Sequence, residues 1–542
     1  MRAVSLKPPL QARSRLQRVL VSRRGAAVRS TTKDTVNPAW LEQIYCDASF
    51  TAPEHQGLVQ VAEIAGRGRG VIAAANLEPG QLVLVSKPLA YVTCPMGAIP
   101  SPEELVDAIR ESSYSHEELR SLDSLYAGVD LEDEETDGDS ELDDMKLFGI
   151  IGCNSFGEEF ADFPTCAARS ANPAGAGTGA GISASGTSSA SGTVTSSSSS
   201  SSSSSCGDPH PHQVGHLGLF PSFSMLNHSC LPNAVNFVVG GRMMVVAARS
   251  IREGSEVLIN YLGRASLRPV DERQAQLAEG YHFSCDCPRC RTELLYDCTD
   301  AGAAVGAAPG PGPGCSLAEG LQDILARCDE RSAELDELGR AAAAGSSGDT
   351  GPDAAAAATN PTANTAAALS DLLQRVRQDI RQLDELTRRA VPDAEAGPGS
   401  AAAEPPEVRR QWLRASAFDL YSQHAALAEV LGLGGEAAEA VDRQVAVCEA
   451  VAPGSDLHMY LEVKRAMMAA GAAGAGAGAG QRQGGGREAE AGGEAEAGRE
   501  AEAEAWRRCA AVLRGRYGAG LSEGTIAALL RGAVYGLSQV SV

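Results

Sequence analysis

Cys285-Asp286-Cys287-Pro288-Arg289-Cys290 puts three thiols within six residues, and no other stretch constrains the fold as much. Cysteines two apart in an extended segment project to one side. Pro288 turns the backbone so that Cys290 can close on the same point. The chain has 542 residues and 14 cysteines, and its start does not read as a secretory signal, so tight clustering points to a metal rather than to disulfides. Three thiolates leave a tetrahedral Zn2+ one ligand short. Spacing alone leaves Cys230, Cys298 and Cys315 open as the fourth.

The text before this cluster reads as short strands. Residues 59–64 alternate, Gly66-Arg67-Gly68-Arg69-Gly70 follows, and Val71-Ile72 resumes the strand character. The turn Glu78-Pro79-Gly80 leads into the apolar run 82–85, and further strands are expected at 216–220, 234–239, 243–247 and 257–259. Gly240-Gly241 is a two-residue hairpin signal. Two breaks interrupt this unit. Residues 131–145 are mostly Asp and Glu and read as a solvated loop. Residues 167–212 are Ala, Gly, Thr and an unbroken Ser run, too poor in apolar surface to offset the entropy of ordering, and read as a disordered insertion.

Beyond a Gly/Ala/Pro linker at 299–316 the period changes. Apolar residues at helical spacing occur over 317–338, 369–390, 412–433, 437–451, 457–468, 506–513 and 521–534. This predicts an α-helical domain over 317–542 resembling a tetratricopeptide-like array, with low-complexity linkers at 339–365 and 469–502. The fold class is therefore α+β: a β-rich domain over 51–298 followed by helices.

Three further groups invite a chemical reading. Asn227-His228-Ser229-Cys230-Leu231-Pro232-Asn233 lies between an apolar stretch and a strand, where a polar segment containing Pro exposes backbone groups to a small-molecule cleft. A Cys/His nucleophilic pair there would need hydrogen-bond reach, which so short a stretch does not guarantee. The run Gly66 to Gly70 lets main chain approach a ligand closely, but it has neither the spacing nor the following helix of a dinucleotide fingerprint. Tyr261, Tyr281 and Phe283 close the β-rich unit and, taken singly, read as core aromatics.

In this order the pieces resemble the SET domain, in its SET-and-MYND (SMYD-like) branch. The matching text is Gly66 through Val71, Cys153-Asn154-Ser155-Phe156, Gly218-Leu219-Phe220-Pro221, Asn227 through Asn233, Glu253 through Tyr261, and Tyr281 through Cys287. It spans about 59–290 with the two breaks removed. The resemblance implies small sheets with a pseudoknot in which the Asn227 segment and the strand leading to Tyr261 thread past each other. It implies protein-lysine N-methyltransferase activity, with S-adenosyl-L-methionine on one face and the substrate lysine entering from the other. Arg67, Gly68 and Arg69 would contact the methyl donor largely through main chain, Asn154, Asn227 and His228 would bind its amino-acid and adenine portions, and Tyr261 and Phe283 would complete the pocket. Tyr261 and Tyr281 would be the catalytic pair. Cys230 would join Cys285, Cys287 and Cys290 around a structural Zn2+. Two departures stand out. Only Cys94 lies between Tyr91 and the acidic run, so the MYND finger is missing and its partners do not transfer. The usual Gly-Glu-Glu reads Gly254-Ser255-Glu256.

The net charge of −23 argues against gripping a phosphate backbone and suits a basic polypeptide partner, histone or otherwise. No run approaches the roughly 18 apolar residues of a membrane span. The C-terminal helices offer a surface for protein partners, and a non-catalytic scaffold is the competing function. Residues 1–50 are a basic arm, and 1–33 carry Arg13, Arg15, Arg18, Arg23, Arg24 and Arg29 with no acid before Asp34, a composition that resembles a plastid or mitochondrial transit peptide. The expected address is the nucleus or cytoplasm, with an organelle as the alternative.

Overall fold

The computed structural model describes residues 37–128, 144–170, 214–295, 315–346, 363–393, 404–480 and 488–537. The segment 1–33, the Ser run, Cys298 and nearly all of the acidic run and the Gly/Ala/Pro linker lie outside the described residues.

Among the described residues there are eleven short strands, most of them where the sequence alternates or runs apolar: β1 His55–Gln56, β2 Val59–Ile64, β3 Gly68–Ala73, β4 Leu82–Ser86, β5 Ala90–Pro95, β6 Ser155–Glu158, β7 Val214–Leu219, β8 Asn227–His228, β9 Ala234–Val239, β10 Arg242–Ala247 and β11 Leu258–Ile259. They form four small sheets, ordered β1-β4-β10-β9, β5-β7-β6, β2-β3 and β8-β11. Gly240 and Gly241 both take positive φ, 57° and 69°, as the tight turn between β9 and β10 requires. β8 and β11 pair in parallel, Asn227 with Leu258 and His228 with Ile259. The expected crossing of these two segments thus takes the form of side-by-side pairing, extended by Ser229 N–H to Ile259 O (2.9 Å).

Among the described residues, six helices stand in or beside this unit: α1 Leu41–Cys46, α2 Pro102–Glu111, α3 His116–Asp123, α4 Asp144–Asn154, α5 Phe163–Ser170 and α6 Val270–Tyr281. Helices α2 and α3 each open on a capping box, Ser101 with Glu104 and Ser115 with Glu118. Helix α7, Pro288–Leu294, starts inside the cysteine cluster with Cys287 as its N-cap. The remainder is α8 Cys315–Ser346, α9 Ala363–Ala390, α10 Pro406–Ala415, α11 Phe418–Val430, α12 Gly434–Val451, α13 Asp456–Gly480, α14 Glu488–Tyr517 and α15 Glu523–Leu537.

Several boundaries differ from the sequence expectation. Residues 41–46, placed with the basic arm, are helical because Leu41, Ile44 and Tyr45 find a core to enter. Residues 167–170 end α5 rather than begin a disordered insertion. The segments 339–346, 363–365, 469–480 and 488–502, taken as linker, are helical, in keeping with the high helix propensity of their Ala and Glu. The periodic stretch 412–433 breaks at Ser416-Ala417, where Ala417 leaves helical geometry (φ −108°, ψ 30°).

Part of the C-terminal helical region shares a core with the sheets. One hydrophobic cluster joins Val85, Val235, Phe237, Met244 and Val246 of the four-stranded sheet to Leu41 and Tyr45 of α1 and to Met459, Cys509, Leu513, Tyr517, Ile526 and Leu529 of α13 to α15. Arg516, 2% exposed, lies 4.9 Å over the Phe237 ring and donates to Gly454 O (2.9 Å). Tyr45 Oη donates to Tyr517 O (2.7 Å), and Tyr517 Oη to Asp162 Oδ1 (2.8 Å). A second cluster, around Trp412, Phe418, Tyr421 and Val441, is built by α8 to α12 with Leu461 of α13.

Candidate active site and metal centre

The β2-β3 turn at Gly66-Arg67 brings the first site segment into place. Gly66 and Gly68 have φ of 75° and 67°, a region costly for residues with a Cβ. Gly70 is needed for a different reason: a Cβ there would lie 2.7 Å from Glu256 Oε1 and 2.9 Å from Asn227 Nδ2. Strand β3 therefore rests directly against β8 and the segment before β11.

Asn227 donates through Nδ2 to Arg69 O (3.0 Å) and Glu256 Oε1 (2.7 Å). Arg67 donates from Nη1 to Glu256 Oε2 (2.9 Å) and from Nη2 to His228 O (2.7 Å). Its guanidinium is thus committed to the protein, and only the main chain of this turn is left to face a ligand. Asn233 clamps the other end of the loop: its Oδ1 accepts Leu258 N–H (2.8 Å) and its Nδ2 donates to Glu256 O (2.9 Å). Asn154, at the end of α4, donates to Tyr126 O and Ile150 O, each at 2.7 Å. Arg69 reaches Ser124 O.

His228 is buried. Its Nδ1 accepts Tyr261 N–H (3.0 Å) and its Nε2 lies 3.3 Å from Cys230 Sγ. Since Nδ1 accepts, the proton sits on Nε2 and points to the sulfur. Both ring nitrogens are therefore engaged within the protein. Its carbonyl accepts from Arg67 Nη2 (2.7 Å), so the ring faces are what remain. The Cys/His proximity that the sequence left unassured is real, but it serves the sulfur cluster.

Around His228 the aromatic residues converge. Tyr261 lies 5.2 Å from His228 and 4.9 Å from Tyr281, ring centre to ring centre. Phe283 is 5.9 Å from His228, 6.4 Å from Tyr261 and 6.5 Å from Tyr281. The chain reverses between Tyr281 and Phe283 through His282, whose φ of 60° is the left-handed cap of α6. Tyr261 Oη donates to Leu226 O. Burial pushes the Tyr261 hydroxyl well up, with the neighbouring Tyr281 adding to it, and burial likewise raises Tyr281. Neither phenol is a base near neutral pH. A cleft of about 440 Å³ has Arg69, Val59, Val71, Met225 and Leu226 among its lining residues, within the range of small-molecule sites.

The sulfurs of Cys230, Cys285, Cys287 and Cys290 all lie within 4.8 Å of one another, and all four residues are buried. A tetrahedral Zn2+ with Zn–S bonds of about 2.3 Å needs sulfurs about 3.8 Å apart, so this set fits the ion. Mutual hydrogen bonding, first from Cys230, draws Cys285 down and holds Cys287 at about 7. Cys230 and Cys290 are pushed up, chiefly by their bonds with Cys285 and Cys230 respectively. Thiols crowded in this way share protons that a dication can replace.

The sequence reading missed the shell behind the sulfurs. Arg273 donates to Cys290 Sγ (3.5 Å) and Glu293 Oε2 (3.0 Å). Arg289 donates to Glu293 Oε1 (2.6 Å) and Ser266 O (2.7 Å). Both arginines are fully buried. Gln274 grips Cys285, accepting from its N–H (2.8 Å) and donating to its C=O (2.6 Å). The one legible trace was Arg289 and Glu293, four apart beside the cysteines.

The SET domain family matches residues 68–262. Among curated proteins, histone-lysine N-methyltransferase SMYD3 of Mus musculus is 44% identical over 81 residues, 15% of this chain and 18% of that protein. Protein-lysine N-methyltransferase SMYD4 of Homo sapiens is 42% identical over 76 residues, 14% and 10% of the two chains. N-lysine methyltransferase SMYD2 of Homo sapiens is 35% identical over 83 residues, 15% and 19%. The aligned stretches thus span less than a fifth of each of these relatives.

Proposed function

We propose, for a chain that carries a SET domain over residues 68–262, that it is an S-adenosylmethionine-dependent protein-lysine N-methyltransferase with a structural zinc. The observation that supports this best is the convergence of Tyr261, Tyr281, Phe283 and His228 beside Asn227, drawn from three separated segments. When bound, the donor supplies a sulfonium methyl group, and in-line attack of a neutral lysine amine on that carbon would form the N–C bond as the C–S bond breaks and a neutral thioether leaves.

The residues' task is then alignment, which can supply most of such a rate. Tyr261 Oη gives its proton to Leu226 O, so its lone pairs are left for the amine head or the methyl group. The ring faces of Tyr261 and Tyr281 favour cationic character next to them. Asn227 spends its Nδ2 on the protein and keeps Oδ1 for the donor's ammonium. Main chain at Arg67, Gly68 and Arg69, and Asn154 at the end of α4, would hold the remainder of the donor, with Phe283 walling it.

Cys230, Cys285, Cys287 and Cys290 would hold the zinc. His228, which touches Cys230 on one side and the Tyr261 amide on the other, would tie such a metal centre to the catalytic tyrosine, a structural and not a chemical role for the site. The acidic charge of the chain suits a lysine-rich protein substrate, histone or otherwise. The helices beyond 315 suit additional protein partners. The nucleus or cytoplasm remains the expected address, and a fluorescent fusion with and without residues 1–33 separates that from an organelle.

The test is transfer of label from S-adenosylmethionine to lysine peptides and histones. Wild-type chain should transfer, and Tyr261→Phe should lose roughly 100-fold or more in kcat while its circular dichroism is kept. Donor binding without transfer to any lysine would favour the scaffold reading instead.

A further inference from the structure

The Glu256 carboxylate ties the segment before β11 to β8 and to the β2-β3 turn. Oε1 accepts Asn227 Nδ2 at 2.7 Å and Oε2 accepts Arg67 Nη1 at 2.9 Å. Arg67 carries the link on to His228 O at 2.7 Å, and Asn227 carries it to Arg69 O at 3.0 Å. The side chain is 13% exposed, so the ion pair with Arg67 is screened less than a surface pair. Its own backbone is held by Asn233, which fixes where the carboxylate begins. Gly70 leaves room for it, since any Cβ there would sit 2.7 Å from Oε1.

We propose that Glu256 is a positioning residue that sets the affinity for the methyl donor by locking the amide of Asn227 in one orientation. The inference rests on the methyltransferase reading above. An asparagine amide can present either its oxygen or its nitrogen, and its neighbours decide which. Here a carboxylate and a carbonyl, both acceptors, claim the Nδ2 end, so Oδ1 is turned to the ligand side. A flipped amide would set Oδ1 against the Glu256 carboxylate and offer N–H groups to a cationic ammonium. The same carboxylate holds Arg67, and with it the β2-β3 turn whose main chain faces the donor. Glu256 therefore acts through Asn227 and Arg67 and not on the reacting atoms.

The test uses the full-length chain with S-adenosylmethionine and S-adenosylhomocysteine as probes. Glu256→Gln keeps the shape but replaces one acceptor by a donor, so either Asn227 or Arg67 meets the wrong partner. Donor KM and the Kd for both probes should rise roughly tenfold, as for loss of a hydrogen bond to a charged group. kcat at saturating donor and the peptide KM should stay within about twofold, the pattern of a contact made equally in ground and transition states. In an Asn227→Ala background the same substitution should change donor affinity by less than about threefold, because coupled residues do not add. Arg67→Met, which removes the other arm, keeps the test open if Glu256→Gln fails to fold, and it should also weaken donor binding with kcat kept.

Unchanged donor affinity in Glu256→Gln overturns the proposal, as does a full effect persisting in Asn227→Ala or a loss confined to kcat. A wild-type chain that binds neither probe would instead sink the methyltransferase reading itself.

Discussion

Removing residues 488–542, and with them α14 and α15, should unfold the β-rich half and not merely detach a partner surface. Val85, Val235, Phe237, Val239, Met244 and Val246 all turn from the four-stranded sheet into the cluster these helices help close. At the low end of about 1.5 kcal/mol for each buried apolar side chain, uncovering the six costs about 9 kcal/mol. Natural domains hold only about 5–15 kcal/mol in total, so the loss consumes most or all of it. Helix α1 stays with the truncated chain, but its Tyr45 loses the Tyr517 carbonyl as well as the Tyr517 ring 5.6 Å away. Leu513→Ala is the graded version, and a buried Leu→Ala change costs about 2–5 kcal/mol. The assay is thermal unfolding by circular dichroism with size-exclusion and dye binding. The truncated chain should take up a hydrophobic dye and lose its cooperative transition. A monomeric truncated chain that melts cooperatively at the wild-type Tm, without dye uptake, would refute the shared-core argument.

Two further outcomes concern metal and pH. Arg273→Met, which strips the N–H donor from Cys290 Sγ, should weaken zinc binding roughly 10- to 100-fold, as loss of a metal site's outer partner does, measured by competition with a chromophoric chelator. An unaltered zinc affinity would count against any role for Arg273 behind the sulfurs. Burial holds His216 and His458 at about 4 in the folded chain, against an ordinary 6.5. The folded state resists protonation while the unfolded one accepts it, so their contribution is fully present above about pH 6.5. It is lost as pH falls from there towards 4, up to about 3 kcal/mol for each. His458→Gln, which can still accept Gly454 N–H, should flatten the fall in denaturation midpoint between pH 6.5 and 4; a slope identical to wild type would exclude His458 as its source.

Legibility in the sequence followed the locality of the signal. The cysteine spacing at 285–290 and the Gly240-Gly241 turn depend on neighbours in the chain, and both appear in the structure at the expected residues. Cys230 is 55 residues or more from the other three sulfurs, and only resemblance singled it out from Cys298 and Cys315. The Ser-x-x-Glu signatures that become the capping boxes at Ser101 and Ser115 are equally local. Arg273, Arg289 and Glu293 could not be recognised as buried, since a charged residue in a helix reads as solvent-facing until the packing around it is known. The shared core was hidden for a related reason. Ala- and Glu-rich text at 488–502 looks like a tether, whereas its continuation through Leu513 to Tyr517 is an inward-facing wall.

His282 is the one non-glycine residue at positive φ among the described residues, and it stands between Tyr281 and Phe283. A branched residue such as Val or Ile in that conformation is penalised by about 1–2 kcal/mol, whereas Asn, Asp or Gly fits with less strain. The two rings flanking it owe their shared direction to this single backbone bend. Drift at position 282 is thus restricted to a handful of residue types for reasons of chain geometry, however little the imidazole itself does. A comparison of positions 281 and 283 alone would overlook the residue that aims them.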